Sequence, residues 1–328
     1  MSDLPADRVN SAPPFTYCAV DLFGPFIIRE GRRELKRYGC LFTCLACRAV
    51  HIETTNSLDT DSFINALRRL IARRGEIREL RSDQATNFVG ADTELQKALQ
   101  EMNHEQISRY LQQNGADYKY IVWKRNPPFA SHMGGVWERQ IRSVRSILSS
   151  LLKDHGSVLD DELFRTLLIE VEAVINSRPL TTETLSDPNS TVPLSPINLL
   201  TMKSKIVMPP PGCFQRTDLY CRRRWRRVQH LANEFWSRWK KEYLTSLQPR
   251  SKNCSKRRNF QVGDIVLLKE ADVSRNSWPL ARIVDIHCDD SQNVRSMRLL
   301  MATSDDFSRE RTFRERPIDR IVLLLESS

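Results

Sequence analysis

The sequence predicts a chain of mixed α/β fold that ends in a smaller all-β domain. Residues 15–28, 38–48 and 50–55 are rich in aromatic and β-branched side chains, which favour strands joined by short turns. Amphipathic helical patterns follow between residues 59 and 176, and short extended runs return after residue 260. The chain has 328 residues, which is enough for two domains, one of them with a sizeable core.

The first strands are expected to form an antiparallel meander, because the connections between them are short. A helix then begins at Asp59 or Thr60 and ends at Gly75, since Asp and Thr cap helix starts and Gly commonly ends helices. A short strand at residues 79–83 follows and ends on an acid, Asp83. The remaining core elements are predicted as helices over residues 93–102 and 106–114, a strand over 118–123, a helix that carries Glu138, and a helix over 159–176.

The helix that carries Glu138 follows a loop with prolines and a Gly pair at residues 127–135. Arg142 and Arg145 lie four and seven residues after Glu138, so the three side chains share one helix face. An acid that shares a helix face with two arginines is typical of a site in which the carboxylate binds a metal ion and the arginines bind phosphates. An ordinary surface helix with a Glu–Arg pair explains the same pattern.

Asp21 interrupts an otherwise apolar strand. It is either structural, at a bulge near Gly24, or functional, and the cost of an unpaired buried carboxylate favours function. The strand order would bring Asp21, Asp83 and Glu138 together at one sheet. Carboxylate oxygens suit Mg²⁺, and two such ions about 3.5–4 Å apart activate a nucleophile and stabilise a leaving oxygen at phosphorus. The acids therefore predict a metal site.

A concentrated basic segment follows the core. Thirteen Lys or Arg and two Glu lie in residues 222–258, a local balance of +11 in a chain of net charge +10, which indicates a polyanionic partner. Residues 216–247 are predicted as one long helix with an apolar stripe, so the basic side chains are either a solvated face or phosphate contacts. The arginines that we expect to contact nucleic acid here are Arg223, Arg224, Arg226 and Arg227.

Short strands predicted over residues 261–268, 278–286, 294–302, 311–313 and 318–325 suggest an SH3-like barrel. No segment has the ~20 apolar residues of a membrane span, and residues 1–14 lack a signal peptide core, so we expect an intracellular protein without a membrane partner. The eight cysteines lack zinc-finger spacing. We expect buried reduced thiols at Cys40 and Cys44 and no structural zinc.

Three motifs resemble the integrase core of retrotransposons, most closely the BEL/Pao group. They are Asp-Leu-Phe-Gly-Pro at residues 21–25, Ser-Asp with Thr-Asn-Phe-Val-Gly within residues 82–90, and His-Met-Gly-Gly-Val-Trp-Glu-Arg at residues 132–139. The resemblance implies a ribonuclease H-like fold and a D,D,E triad that binds two Mg²⁺ or Mn²⁺ ions. It also implies strand transfer of element DNA ends into a target duplex, by a multimer that acts in the nucleus without a small-molecule substrate.

Residue by residue, the resemblance implies catalytic metal ligands at Asp21, Asp83 and Glu138. It implies DNA contacts at Asn87, Arg142 and Arg145. The C-terminal strands resemble the domain that follows the core in BEL/Pao polyproteins. The expected domains are a leader at residues 1–12, an integrase catalytic core at 13–200, a linker with the basic helix at 201–258, and a small β-barrel at 259–328.

The chain departs from the integrase pattern after the second acid, where Gln84-Ala85 replaces the usual Asn-Gly. If the loop needs positive φ, Ala costs roughly 1 kcal/mol or more. The residues before Phe15 are also too few for the zinc domain of related integrases, so we expect the tail of a polyprotein, as a fragment or a host gene. A catalytically inactive, domesticated DNA- or chromatin-binding protein and a ribonuclease therefore stay open as alternatives.

Overall fold

The structure, a computed structural model, describes most of the chain. The described residues are 10–82, 105–106, 109, 122–125, 135–182, 193–203, 208–248, 259–270, 273–289, 294–301 and 312–327. The chain divides into two compact units, Met1–Asn176 with Gly212–Phe235, and Ser177–Pro211 with Trp236–Ser328. The predicted domain boundaries stay a prediction. None of the helices in the described ranges has the length and apolar character that a membrane crossing requires.

The first unit is built on a mixed sheet with helices packed against it. Its elements, numbered in chain order, are β1 (Tyr17–Glu30), β2 (Arg33–Cys44), β3 (Val50–Thr55), α1 (Thr60–Arg74), β4 (Glu79–Ser82), β5 (Val122–Arg125), α2 (Gly135–His155) and α3 (Asp161–Asn176). The described strands form a five-stranded sheet in the order β3-β2-β1-β4-β5. The first three strands are antiparallel, whereas β4 runs parallel to β1 and β5 parallel to β4. This is the ribonuclease H-like arrangement that the sequence predicts.

The register of β1 on β2 depends on a large residue facing a small one. Phe23 is paired with Gly39, and a Cβ atom added to Gly39 would lie 2.2 Å from the Phe23 ring. The register then shifts between Phe23 and Phe26, which places a bulge at Gly24 and Pro25. The strand β2 begins at Arg33 rather than at the predicted residue 38, because its polar first half pairs with the end of β1.

The helix α1 confirms both predicted caps. The Asp59 side chain accepts the backbone N–H of Ser62 at 2.6 Å, and Gly75 ends the helix with a φ of 89°. Its apolar face buries Phe63 and Leu67 in the core. The helices predicted over residues 93–102 and 106–114 lie almost entirely outside the described residues.

The helix α2 runs along β1 and in the same direction. Arg145 of α2 contacts Asp21 of β1, and eleven residues later Gly156 lies against Ile27, six residues further along β1. A Cβ atom at Gly156 would be 2.4 Å from the Ile27 carbonyl oxygen, so the close approach requires glycine. Both α2 and α3 pack against β1, while α1 and α3 pack against β3.

The second unit contains the predicted small β domain. Its elements include β6 (Thr181–Thr182), β7 (Pro193–Leu194), α4 (Pro196–Thr201), β8 (Ile265–Leu268), β9 (Leu280–Cys288), β10 (Val294–Met301), β11 (Phe313–Pro317) and β12 (Ile321–Leu325). Among described residues the last five strands form one antiparallel sheet in the order β11-β10-β9-β8-β12, with a 3₁₀ turn before β12. This order is that of an SH3-like barrel, and its core includes Val266, Ile283, Met297 and Leu299.

The long basic helix is shorter than the sequence predicts. A 3₁₀ turn occupies Arg216–Tyr220, the chain then becomes extended at Cys221, and the helix α5 spans Arg224–Leu247. The cause is Asp218, whose carboxylate accepts the backbone N–H of Gln215 at 2.8 Å and Nε of Arg226 at 2.7 Å. These bonds hold the 3₁₀ turn against the first turn of α5. The prediction of one continuous helix from Arg216 is therefore wrong.

Candidate functional site

Asp21 lies in β1 beside the end of β4. The parallel register pairs Val20 with Ser82, the last residue of β4, so this end of β4 lies next to Asp21. Asp83 directly follows Ser82 in the sequence. Asp83 and the predicted DNA contact Asn87 lie outside the described residues.

Helix α2 brings a positive charge to Asp21. Nη1 of Arg145 donates to Oδ2 of Asp21 at 3.2 Å, and the two side chains are 28% and 15% exposed. Glu138 belongs to the same helix, seven residues before Arg145, which is about 10 Å along the helix axis. The structure describes the backbone of residues 135–140 but not their side chains. Arg142 is exposed on α2.

Asp21 fits the ligand type that a hard divalent cation needs. A carboxylate at this position is largely shielded from water, and it already holds a cationic group, the Arg145 guanidinium. In the described part of the chain, no three His, Cys, Asp or Glu residues form a group that could hold a metal ion. Asp83 and the Glu138 side chain lie outside that part, so the triad stays a prediction.

A second carboxylate, Glu53 of β3, contacts one histidine and two arginines. It is 5% exposed and contacts Nε2 of His51 at 3.0 Å, Nε of Arg69 at 2.6 Å and Nη1 of Arg73 at 3.0 Å. Burial raises the pKa of Glu53, but hydrogen bonds from His51 and Arg69 outweigh it, so this pKa lies below its ordinary value. Glu53 is therefore an ionised structural carboxylate.

Glu172 of α3 completes this cluster from the other side. Its carboxylate accepts Nη2 of Arg74 at 2.5 Å and the backbone N–H of Ile52 at 2.8 Å, and it lies 3.4 Å from Nδ1 of His51. Burial lowers the pKa of His51, yet the hydrogen bonds to Glu172 and Glu53 raise it above its ordinary value overall. The cluster thus ties β3 to α1 and α3.

Of the four arginines in the basic segment that were predicted to contact nucleic acid, three bind groups within their own unit. Arg224 pairs with Asp160 and, at 3.2 Å, with Glu162. Arg226 binds Asp218 and stacks over Phe214, with its guanidinium carbon 5.0 Å from the ring centre. Arg227 donates to the Cys221 carbonyl at 2.8 Å. Arg223 is exposed, and so is Arg224 despite its two ion pairs, whereas Arg226 and Arg227 are partly buried.

Sequence reasoning missed the internal roles of Arg145, Arg224, Arg226 and Arg227. The partners of Arg145 and Arg224 are 124 and 64 residues away in the sequence, so no local pattern reveals them. The partners of Arg226 and Arg227 are 8 and 6 residues away, before the start of the helix. The acids that bind the basic segment, Asp160 and Asp218, lie outside residues 222–258, so the local charge count did not include them. Charge density therefore identified the segment but not the residues that face solvent.

Residues 223–324 match a family model described as "Family of unknown function (DUF5641)". No curated protein matches the chain. Among similar solved structures is the simian T-cell lymphotropic virus intasome in complex with PP2A regulatory subunit B56 gamma, with 11% identity, a TM-score of 0.36, and coverage of 99% of this chain and 84% of that chain. Another is the catalytic core domain of BIV integrase, with 15% identity, a TM-score of 0.30, and coverage of 49% and 84%. The fold assignment rests on the strand order and directions of the two sheets.

Proposed function

We propose that the chain is an integrase-like, metal-dependent polynucleotidyl transferase that joins DNA ends of a BEL/Pao-type element to a target duplex. The observation that carries the proposal is that the end of β4 and the helix α2 both lie next to Asp21. The strand β4 ends beside it, one residue before Asp83, and the helix of Glu138 lies along the same strand with Arg145 on the Asp21 carboxylate.

Asp21, Asp83 and Glu138 would hold two Mg²⁺ or Mn²⁺ ions through carboxylate oxygens. When bound, such ions supply an activated attacking oxygen and stabilise the leaving oxygen at the phosphodiester. The protein positions the acid: β1 fixes Asp21 within a paired strand, and Nη1 of Arg145 contacts its carboxylate. Arg142, exposed one turn before Arg145, is placed to attract the DNA backbone.

A strand-transfer assay with short duplex ends and Mg²⁺ tests the proposal. Asp21→Asn keeps the size of the side chain but removes its charge, so we expect strand transfer to fall by more than about 100-fold. Asp154→Asn is the matched control, because Asp154 is an exposed acid of α2 and should leave activity unchanged. Equal activity of Asp21→Asn and the parent chain would refute the role of Asp21.

The alternative is a DNA- or chromatin-binding protein without catalysis, and the Asp21–Arg145 ion pair favours it because an arginine occupies the carboxylate. For this alternative, DNA binding survives EDTA and no nicking occurs with Mg²⁺ or Mn²⁺. A ribonuclease would instead cleave an RNA–DNA hybrid. Under the main proposal the partners are element ends and target DNA, the active form is a homo-oligomer, and the site of action is the nucleus.

A further inference from the structure

Cys44, the last residue of β2, and Cys47, in the turn that leads to β3, form a C-x-x-C arrangement. The ends of this turn are held by backbone hydrogen bonds from Cys44 N–H to the Ala49 carbonyl at 2.8 Å and from Arg48 N–H to the Cys44 carbonyl at 3.0 Å. Arg48 has a φ of 57°, which lets the turn close tightly. The two cysteines are thus held close together by the fold.

The sulfur of Cys44 accepts hydrogen bonds from several directions. The backbone N–H of Phe15 donates to it at 3.3 Å, and the Cys47 side chain and the backbone of Ala46 and Cys47 also donate to it. The hydrogen bond from the Cys47 thiol, with the backbone donors, outweighs burial and lowers the pKa of Cys44 to about 6. Donors arranged in this way stabilise a thiolate.

The neighbouring thiol, Cys18, is held in the opposite state. It is paired with Cys44 across β1 and β2, but its S–H donates to the Phe15 carbonyl at 2.9 Å. Burial, with the nearby Cys44 as a second cause, raises the pKa of Cys18 well above its ordinary value. Cys18 therefore stays a thiol, and the reactive pair is Cys44 with Cys47.

The two cysteines of this pair differ in their exposure to solvent. Cys44 is 1% exposed, whereas Cys47 is partly exposed. A reagent larger than water therefore meets Cys47 first. The Cys44 sulfur is already in hydrogen-bond contact with Cys47. It is therefore placed to attack a mixed disulfide that forms on Cys47.

We propose that Cys44 and Cys47 form a thiol-modification site that reacts with low-molecular-weight disulfides and closes to an intramolecular disulfide. Cys47 passes its proton to the Cys44 thiolate and attacks one sulfur of the reagent, which forms a mixed disulfide and releases one thiolate. That thiolate takes up the proton from Cys44 and leaves as a thiol. Cys44 then attacks the Cys47 sulfur, the mixed bond breaks, and the second thiolate leaves. The two protein sulfurs are oxidised and the reagent is reduced to two thiols.

The test incubates the full chain with oxidised glutathione and maps the products by peptide mass spectrometry. We expect a transient glutathione adduct on Cys47, followed by a Cys44–Cys47 disulfide and the loss of two free thiols. The exposed Cys213 and Cys288 are internal controls that should retain glutathione adducts, since neither belongs to such a pair. Adducts on these two cysteines while Cys44 and Cys47 both stay reduced would overturn the proposal.

Two variants separate the roles, with thermal melting to show that each is folded. Cys44→Ser should accumulate a lasting Cys47–glutathione adduct, because the resolving sulfur is gone. Cys47→Ser should leave Cys44 unmodified, because it is buried. A glutathione adduct on Cys44 in Cys47→Ser, or an adduct on Cys47 that persists in the parent chain, would contradict the assigned order. The time course in the parent tests the proposal even if Cys44→Ser does not fold.

Discussion

Two carboxylate sites of the first unit, Asp21 and Glu53, differ in how their charge is balanced. Glu53 has three basic side chains within 3.0 Å, His51, Arg69 and Arg73, and is 5% exposed. Asp21 has an ion pair with Arg145 at the longer distance of 3.2 Å and is more exposed, at 15% for its side chain. The three contacts of Glu53 stabilise the fold, whereas the proposed function requires the Asp21 carboxylate to exchange its arginine for a cation.

The largest stability effect is expected at Glu53. Glu53→Gln leaves the charges of Arg69 and Arg73 without their acid, and we expect a loss of about 2 kcal/mol in the free energy of unfolding, less than for a fully buried pair because both arginines are partly exposed. Urea denaturation measures it, with the exposed Glu162→Gln as control. If Asp21→Asn lost as much stability as Glu53→Gln, the distinction between the two sites would fail.

The stabilising role of Glu53 should also appear in the pH dependence of the free energy of unfolding. The pKa of Glu53 is lowered, so its contribution is complete above the unfolded value of 4.5 and is lost as pH falls through the folded value. The pKa of His51 is raised, so its contribution is complete below 6.5 and is lost as pH rises through the folded value. Denaturation from pH 3 to 8 should show a shallower acid limb in Glu53→Gln. An unchanged acid limb would contradict this role for Glu53.

Arg145→Ala tests whether the Asp21 pair is exchangeable. Removing the competing guanidinium should strengthen Mn²⁺ binding about 2–5-fold, the worth of one partly exposed ion pair, and change stability by less than about 1 kcal/mol. Titration calorimetry with MnCl₂ measures the affinity, and Arg142→Ala, an exposed arginine of the same helix, is the control. Weaker Mn²⁺ binding in Arg145→Ala would show that the pair serves the metal site as it stands.

The smallest effect is expected in the basic segment. There, Arg223 is exposed, whereas Arg226 binds an acid of its own unit. Arg223→Ala should reduce the slope of log affinity for duplex DNA against log salt by about 1, because an exposed arginine releases a counterion. Arg226→Ala should leave the slope unchanged and lower stability by about 1 kcal/mol, since it loses Asp218. Equal slopes for both variants and the parent would place the DNA contact elsewhere.

The sequence predicts elements whose signals are local and misses those set by distant contacts. The strand β3 was predicted with its observed bounds, and the caps of α1 at Asp59 and Gly75 are confirmed, because alternation and capping act within a few residues. The break before Arg224 was missed although its cause is local, because Asp218 bonds the backbone N–H of Gln215 three residues before it and Arg226 eight residues after it. At the candidate site, the sequence identified Asp21 as a candidate metal ligand but could not predict its ion pair with Arg145.

The contact between Phe23 and Gly39 has a consequence for comparing relatives of this chain. The ring fills the space that any side chain at position 39 would need, so the two positions share one fixed volume. A homologue with alanine or valine at 39 is expected to carry a smaller residue at 23. Such paired changes across an alignment would mark how β1 and β2 align in sequences too divergent to match elsewhere.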